Sequence, residues 1–274
     1  MLRFISFGSG SSGNCYFLFS DSDGLVIDSG VGIRQLKKHF RDFGLSLSHV
    51  RHILVTHDHA DHVKSVGSLS IDLQVPVHTT QDVHVGIFRN YCVSKKIPTD
   101  LQRSVEKGKE YVLGDFKVTP FAVPHDSTDC IGFKIEAEGV VFCIMTDVGC
   151  VTDEMKQIIG EANYLVIEAN HDEEMLKSGP YPSYLKKRIM STNGHLSNTD
   201  CAQAIAENIT EKIRHIWLCH LSEENNHPEL ARKTITSVLA SYGIIAGKDL
   251  QLDILKRKTP TGIFELSPVR NEDE

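Results

Sequence analysis

LVTHDHADHV, residues 54–63, sets His57, Asp58, His59, Asp61 and His62 within six positions directly after an apolar run. A strand that ends in a turn leaves its side chains room to converge, and imidazole nitrogen with carboxylate oxygen is the ligand set of zinc and related divalent cations. The plain alternative is a charged turn opening a helix, and a lone histidine would favour it. The H-x-H-x-D-H spacing after a buried strand does not. It supplies four direct ligand candidates, more than one catalytic zinc with an open position needs, so the spacing implies two cations sharing a site.

A second cation requires donors from elsewhere, placed after other strand-like runs. Three qualify: His125 after VTPFAVP, Asp147 after VVFCIMT and His220 after HIWLC. In open sheets the strand ends are where sites assemble. These runs belong to a longer series in which LRFISF, CYFLF, GLVID, HILVT, VPVHT, FKVTPFAV, CIGFKIEA, GVVFCIMTD, NYLVIEA, HIWLC and LQLDIL read as strands. Helical spacing predicts helices over 32–43, where Ile33, Leu36, Phe40 and Phe43 recur, and over 152–160, 182–191, 199–210 and 228–242. The first three strands are joined by Gly/Ser-rich or acidic turns and later ones by helices, which predicts a β-meander opening onto mixed sheets. No repeat, linker or composition shift divides the chain, so one domain over 1–267 is expected, followed by a disordered acidic tail over 268–274.

With a formal charge of −7, the 274-residue chain has no global affinity for polyanions, and contact with nucleic acid would need a local basic patch. Its seven cysteines, at 15, 92, 130, 143, 150, 201 and 219, form no C-x-x-C pair, which fits scattered thiols in a reducing compartment. No stretch approaches the length of a membrane span, and MLRFISFGSGSSGN has neither the charge nor the apolar run of a leader. The expectation is a soluble cytoplasmic protein with no membrane association and no obligate protein partner.

THDHADH matches the signature of the metallo-β-lactamase fold superfamily, and the chain resembles that superfamily from its first strand to nearly its last residue. The resemblance implies an α/β fold, a four-layer αβ/βα sandwich of two mixed β-sheets with helices outside and the metals at one edge of the sheets. It implies that His57, His59 and His125 hold one metal, that Asp61, His62 and His220 hold the other, and that Asp147 bridges them. Asp58 would then point away and orient an imidazole. The cofactors are two divalent cations, zinc first, with manganese and iron as alternatives. Four positive charges against Asp61, Asp147 and one bridging hydroxide leave about one positive charge, which suits an anionic transition state with that hydroxide as nucleophile.

Later segments bear on the substrate. Within the superfamily the nucleic-acid-processing β-CASP branch places an acid after a strand, then a His before a helix, then the last metal His. Glu168 after YLVI, His195 before DCAQAIAENI and His220 show that order. The branch's long inserted domain is absent, since only about twenty residues separate Asp147 from Glu168. With SFGSGSSGN, EANHD and GHLSN, the chain resembles the compact bacterial YycJ/WalJ-type hydrolases, which implies a DNA exonuclease. His195 is the candidate general acid and Glu168 its orienting partner. Asn170 and His171 are candidates for substrate binding, with a turn-shaping role as the alternative. GHLSNTD also reads as a helix start with Ser197 or Asn198 as N-cap. The loop GSGSSGN would admit a phosphate to backbone amides or form a plain hairpin turn. Basic clusters RQLKKHFR, SKKIP, YLKKRIM and KRK would make a track for DNA or solvated helix faces, and Tyr181, Tyr184 and Phe88 would stack on bases or pack in the core. The alternative function is hydrolysis of a thiolester or lactone.

Overall fold

The computed structural model describes residues 1–268, so the tail expected at 268–274 lies, beyond its first residue, outside the described residues. Every apolar run read as a strand is one. The first sheet contains β1 (Leu2–Gly8), β2 (Cys15–Phe19), β3 (Gly24–Ile27), β4 (His52–Leu54), β5 (Val77–Thr79) and β6 (Gln102–Ser104), in the order β14-β1-β2-β3-β4-β5-β6 with β14 (Phe264–Leu266) at its edge. The second contains β7 (Tyr111–Leu113), β8 (Phe116–Ala122), β9 (Ile131–Ala137), β10 (Val140–Met145), β11 (Tyr164–Glu168), β12 (His215–Cys219) and β13 (Gln251–Ile254), in the order β13-β12-β11-β10-β9-β8-β7.

Both sheets are mixed. In the first, β1 to β3 pair antiparallel as the expected meander, and β3 to β6 pair parallel. In the second, β9 and β10 are antiparallel while β10 to β13 are parallel. Parallel strands need crossovers, and these carry the helices α1 (Ile33–Asp42), α2 (Ala60–Val63), α3 (Val66–Leu73), α4 (Gln81–Arg89), α5 (Asp153–Glu161), α6 (Glu173–Ser178), α7 (Ser183–Ile189), α8 (Asn198–Asn208) and α9 (Pro228–Ser241). The five expected helices correspond to α1, α5, α7, α8 and α9.

The chain divides into two compact units, one of Met1–Pro120, Ser127–Ile131 and Lys256–Ser267, the other including Phe121–Asp126 and Gly132–Leu255. In the first, Phe7, Phe17, Phe19 and Phe40 pack with Ile53, Val55, Val77 and Leu69. Leu36 and Phe40 are the buried positions of α1, as its spacing predicts. In the second, Trp217 on β12 is fully buried between Phe142 and Tyr164, with ring centroids at 6.4 and 6.0 Å. Truncating such a ring to Ala costs about 3–5 kcal/mol. These rigid centres hold the strand ends, where the polar residues emerge.

Candidate metal centre

In the first unit the motif lies where β4 stops. His57 and His62 are fully buried, and their rings lie 4.0 Å apart, with His59 4.7 Å from His57. Asp61 follows in α2. The chain can turn this tightly against β3 because residue 30 is Gly: a Cβ there would stand 1.6 Å from the Asp61 carbonyl oxygen.

Each buried imidazole is fixed through Nδ1. His62 Nδ1 donates to Asp28 Oδ2 at 2.7 Å, and His57 Nδ1 lies 3.0 Å from Thr56 Oγ1, which itself donates to Asp28. Asp28 also accepts the Thr56 N–H at 2.9 Å. A hydrogen-bonded Nδ1 sets the tautomer that offers Nε2 to a metal, the usual arrangement of a ligating histidine. Asp28 is a residue that the motif does not disclose. Its signal was present, since GLVID ends on an acid as the other donor-bearing strands end on Asp or His. Asn14 closes the set, its amide nitrogen 3.2 Å from Asp61 Oδ2 and 2.9 Å from His62 Nε2. Its Oδ1 accepts the Gly10 N–H at 2.7 Å, so GSGSSGN is a turn held by its own last residue. Asp58 turns away from the imidazoles: its carboxylate accepts from Thr128 N–H and Oγ1 at 3.2 and 2.6 Å and pins that loop.

In the second unit, donors leave the ends of β8, β10, β11 and β12. Asp147, Glu168, His195 and His220 offer ligand atoms all within 4.8 Å of one another. His125 joins them, its Nε2 3.7 Å from Asp147 Oδ1 and its Nδ1 donating to Gly194 O at 2.9 Å. Two ligands on one tetrahedral zinc stand about 3.4 Å apart, so this spacing fits a shared cation.

Glu168 is the hub of this group. It is fully buried; Oε2 accepts the Val148 and Leu196 N–H groups at 2.7 and 3.1 Å, and Oε1 accepts from His195 Nδ1 at 2.8, His220 Nδ1 at 3.0 and Asn170 Nδ2 at 3.3 Å. Burial opposes its ionisation, yet the neighbouring His195 and His220 imidazoles outweigh burial and hold the carboxyl below the usual range. Reciprocally, burial works against a charged His195, but Glu168 prevails and its pKa is raised. The His195 side chain is 19% exposed, so Nδ1 is committed inward while the ring reaches the surface.

Asn170 is buried and bonds to Glu168 and to the His220 carbonyl at 2.9 Å; His171 is also buried, and its Nδ1 has no hydrogen-bond partner among the described residues. Ser197 is the N-cap of α8, accepting the Asp200 N–H at 3.0 Å. Asp28, Asp147 and His220 all adopt positive φ, at 58°, 54° and 53°. Such a conformation costs a non-glycine residue about 1–3 kcal/mol and aims its side chain off the strand axis, a strain concentrated where donors sit.

A sequence profile for the Beta-lactamase superfamily domain matches residues 24–220. The chain belongs to this superfamily. It is 36% identical to exodeoxyribonuclease YycJ of Bacillus anthracis over 262 residues, covering 96% of this chain and 98% of that one. It is 32% identical over 258 residues to exodeoxyribonuclease WalJ of Streptococcus pneumoniae, covering 94% and 96%. In structure it is similar to the metallo-beta-lactamase fold protein YhfI of Bacillus subtilis, with TM-score 0.69 at 15% identity over 95% of this chain and 99% of that one. The superfamily chain is a metal-dependent hydrolase with two mixed β-sheets, as its sequence predicts. No helix among the described residues is long and apolar enough to cross a membrane.

Proposed function

We propose that the chain is a DNA exonuclease acting as one hydrolase domain over 1–267, with two divalent cations, zinc first, held by His57, His59 and His125 and by Asp61, His62 and His220, with Asp147 shared. The donor chemistry fits: neutral imidazoles with fixed tautomers, two carboxylates, and orienting groups behind them. When bound, two such cations would lower the pKa of water enough to supply a hydroxide nucleophile and would offset charge on the phosphoryl oxygens.

One observation carries the reading: the 2.8 Å Glu168–His195 contact, in which a buried carboxylate grips Nδ1 of a partly exposed imidazole. Glu168 favours the imidazolium, so His195 holds a proton at Nε2 and delivers it to the departing alkoxide as the P–O bond breaks. The alkoxide becomes a hydroxyl, and His195 regains its proton from solvent. Glu168 is a positioning residue that acts through His195 and His220, and Asn170 supports it. His171 remains the second candidate for contact with substrate. The relatives named exodeoxyribonuclease support DNA as the substrate.

The test is cleavage of end-labelled duplexes bearing a 5′-phosphate or a 5′-hydroxyl, with metal analysis alongside. We expect stepwise shortening that stops with chelator. The variant His195→Ala should keep both metals and lose about 10²- to 10⁴-fold of DNA turnover, while a nitrophenyl phosphodiester, whose leaving group needs no proton, is spared. Preferential cleavage of a thiolester or lactone would replace this reading with the small-molecule one. Equal loss on both phosphodiesters would remove the general-acid role.

A further inference from the structure

Phe88 and Tyr91 are 65% and 93% exposed, and Phe88 is the one exposed residue among the twelve phenylalanines of the chain. They stand in GIFRNYCVSKK, residues 86–96, a segment with three cations and no acid in a chain of net charge −7. Burying a Phe ring contributes about 1.5–3 kcal/mol, so two rings left in water on a protein with ample core ask for an occupant.

The segment is fixed against the motif loop. The Asn90 side-chain amide donates to the Asp58 carbonyl at 2.7 Å, its Oδ1 accepts the Cys92 N–H at 2.9 Å, and its own carbonyl accepts Lys96 Nζ at 2.7 Å. One turn earlier, a Cβ at Gly86 would stand 2.0 Å from Asp58 Oδ2, so α4 packs directly on that loop. Asp58 lies between His57 and His59. The segment that carries the rings is thus held against the residue between two proposed metal donors of its own unit.

From these observations we infer that Phe88, Arg89, Tyr91, Lys95 and Lys96 form a stacking platform for single-stranded DNA beside the motif loop. The inference rests on the exonuclease reading and deepens it by naming a strand-binding surface. Charge complementarity selects this occupant, because a polyanion suits a segment with three cations and no acid. Ile87 and Val93 are buried, so the exposed apolar area is aromatic, a surface on which bases stack. Base stacking on rings is sequence-tolerant, and cations at the ring margin meet the phosphates. Arg89 is exposed and forms no ion pair among the described residues, while the Lys96 ammonium lies 6.0 Å over the Phe88 ring.

The experiment measures binding of a phosphorothioate-linked oligodeoxythymidine, which resists cleavage, by fluorescence anisotropy. Phe88→Ala and Tyr91→Ala should each raise Kd about 5- to 150-fold, and Phe88→Trp should restore binding. Arg89→Gln should lower the magnitude of the slope of log K against log salt by about 0.7. Both rings are exposed, so thermal melting and nitrophenyl phosphodiester turnover should stay at wild-type values, whereas KM for DNA with single-stranded ends rises. Wild-type Kd and KM in the double alanine variant of an enzyme that degrades DNA would overturn the platform alone. The same result with a shift from dimer to monomer would assign the rings to a second copy of the chain. A wild-type protein that neither binds nor cuts DNA would overturn the exonuclease reading itself.

Discussion

Replacing Glu168 by Gln keeps the shape of the side chain and removes its charge, which makes the consequence calculable. The carboxylate accepts five hydrogen bonds, two from backbone N–H groups on Oε2 and three from His195, His220 and Asn170 on Oε1. An amide accepts at one end only. If its oxygen stays with Val148 and Leu196, its NH₂ confronts two imidazole Nδ1 donors, and both rings must change tautomer. His220 then carries hydrogen on Nε2 and ceases to be a donor there, while His195 loses the partner that raises its pKa. If the amide is reversed, two buried backbone N–H groups lose their acceptor. Each unsatisfied buried group costs about 1–3 kcal/mol, so the first outcome, which leaves the Asn170 amide facing another donor, destabilises by about 1–3 kcal/mol and the second by about 2–6 kcal/mol. In a chain of this size each kcal/mol moves Tm by about 2–4 °C. Calorimetry should therefore show a fall of at least about 2 °C, metal analysis a weaker occupancy, and DNA cleavage a loss comparable with that of His195→Ala. A Glu168→Gln protein with unchanged Tm and full metal content would refute the hub.

Three further outcomes follow from local geometry. Asp28→Asn should weaken metal binding about 10- to 100-fold in competition with a chelator, because Asp28 sets the His62 tautomer at 2.7 Å. Burial pushes the pKa of His78 down to about 3, with the His52 charge a further cause, so the unfolded chain takes up a proton near pH 6.5 that the folded chain refuses. Stability is therefore lost as pH falls from about 6.5 towards 3, and the difference in unfolding free energy between wild type and His78→Gln should narrow by about 2 kcal/mol between pH 7 and pH 5; a constant difference counts against it. Burial raises the thiol pKa of Cys15, Cys143 and Cys201, and among the seven cysteines only Cys92 and Cys150 are part-exposed, so brief native alkylation read by mass spectrometry should label those two.

The strands were legible because each long run buries one or both faces against the core: CYFLF and GLVI are buried at every position. Those that escaped notice are β6, β7 and β14, three residues each. QRS carries no apolar period, and it becomes a strand because β5 offers it a parallel edge, with Val77 opposite Gln102. The helix α3 escaped for a related reason, since VGSLSIDL buries Gly67 and Ser70 along with Val66 and Leu69, and residues of poor helix propensity blur its face. Tertiary contact decides such segments, and local composition does not report it.

The site divides along the same physical line. The proposed metal donors are visible in the sequence because a cation must be reached by several side chains at once, and chain geometry favours neighbours: four come from HDHADH, and the others mark the ends of strands. The carboxylates that orient those donors obey no such crowding. Asp28 meets His62 across 34 residues, and Glu168 meets His195 across 27 and His220 across 52. What joins each pair is a buried charge with few permissible neighbours: a carboxylate sealed from water needs N–H donors around it, and an imidazole needs one nitrogen held so that the other is defined. Asp28 and Glu168 therefore perform one task in separate units. If that is their role, Asp28→Asn and Glu168→Gln should each lower metal affinity alone, and because the proposed site places His62 and His220 on one cation the two losses should couple in the double variant; strictly additive loss would mean that the two carboxylates act on separate cations.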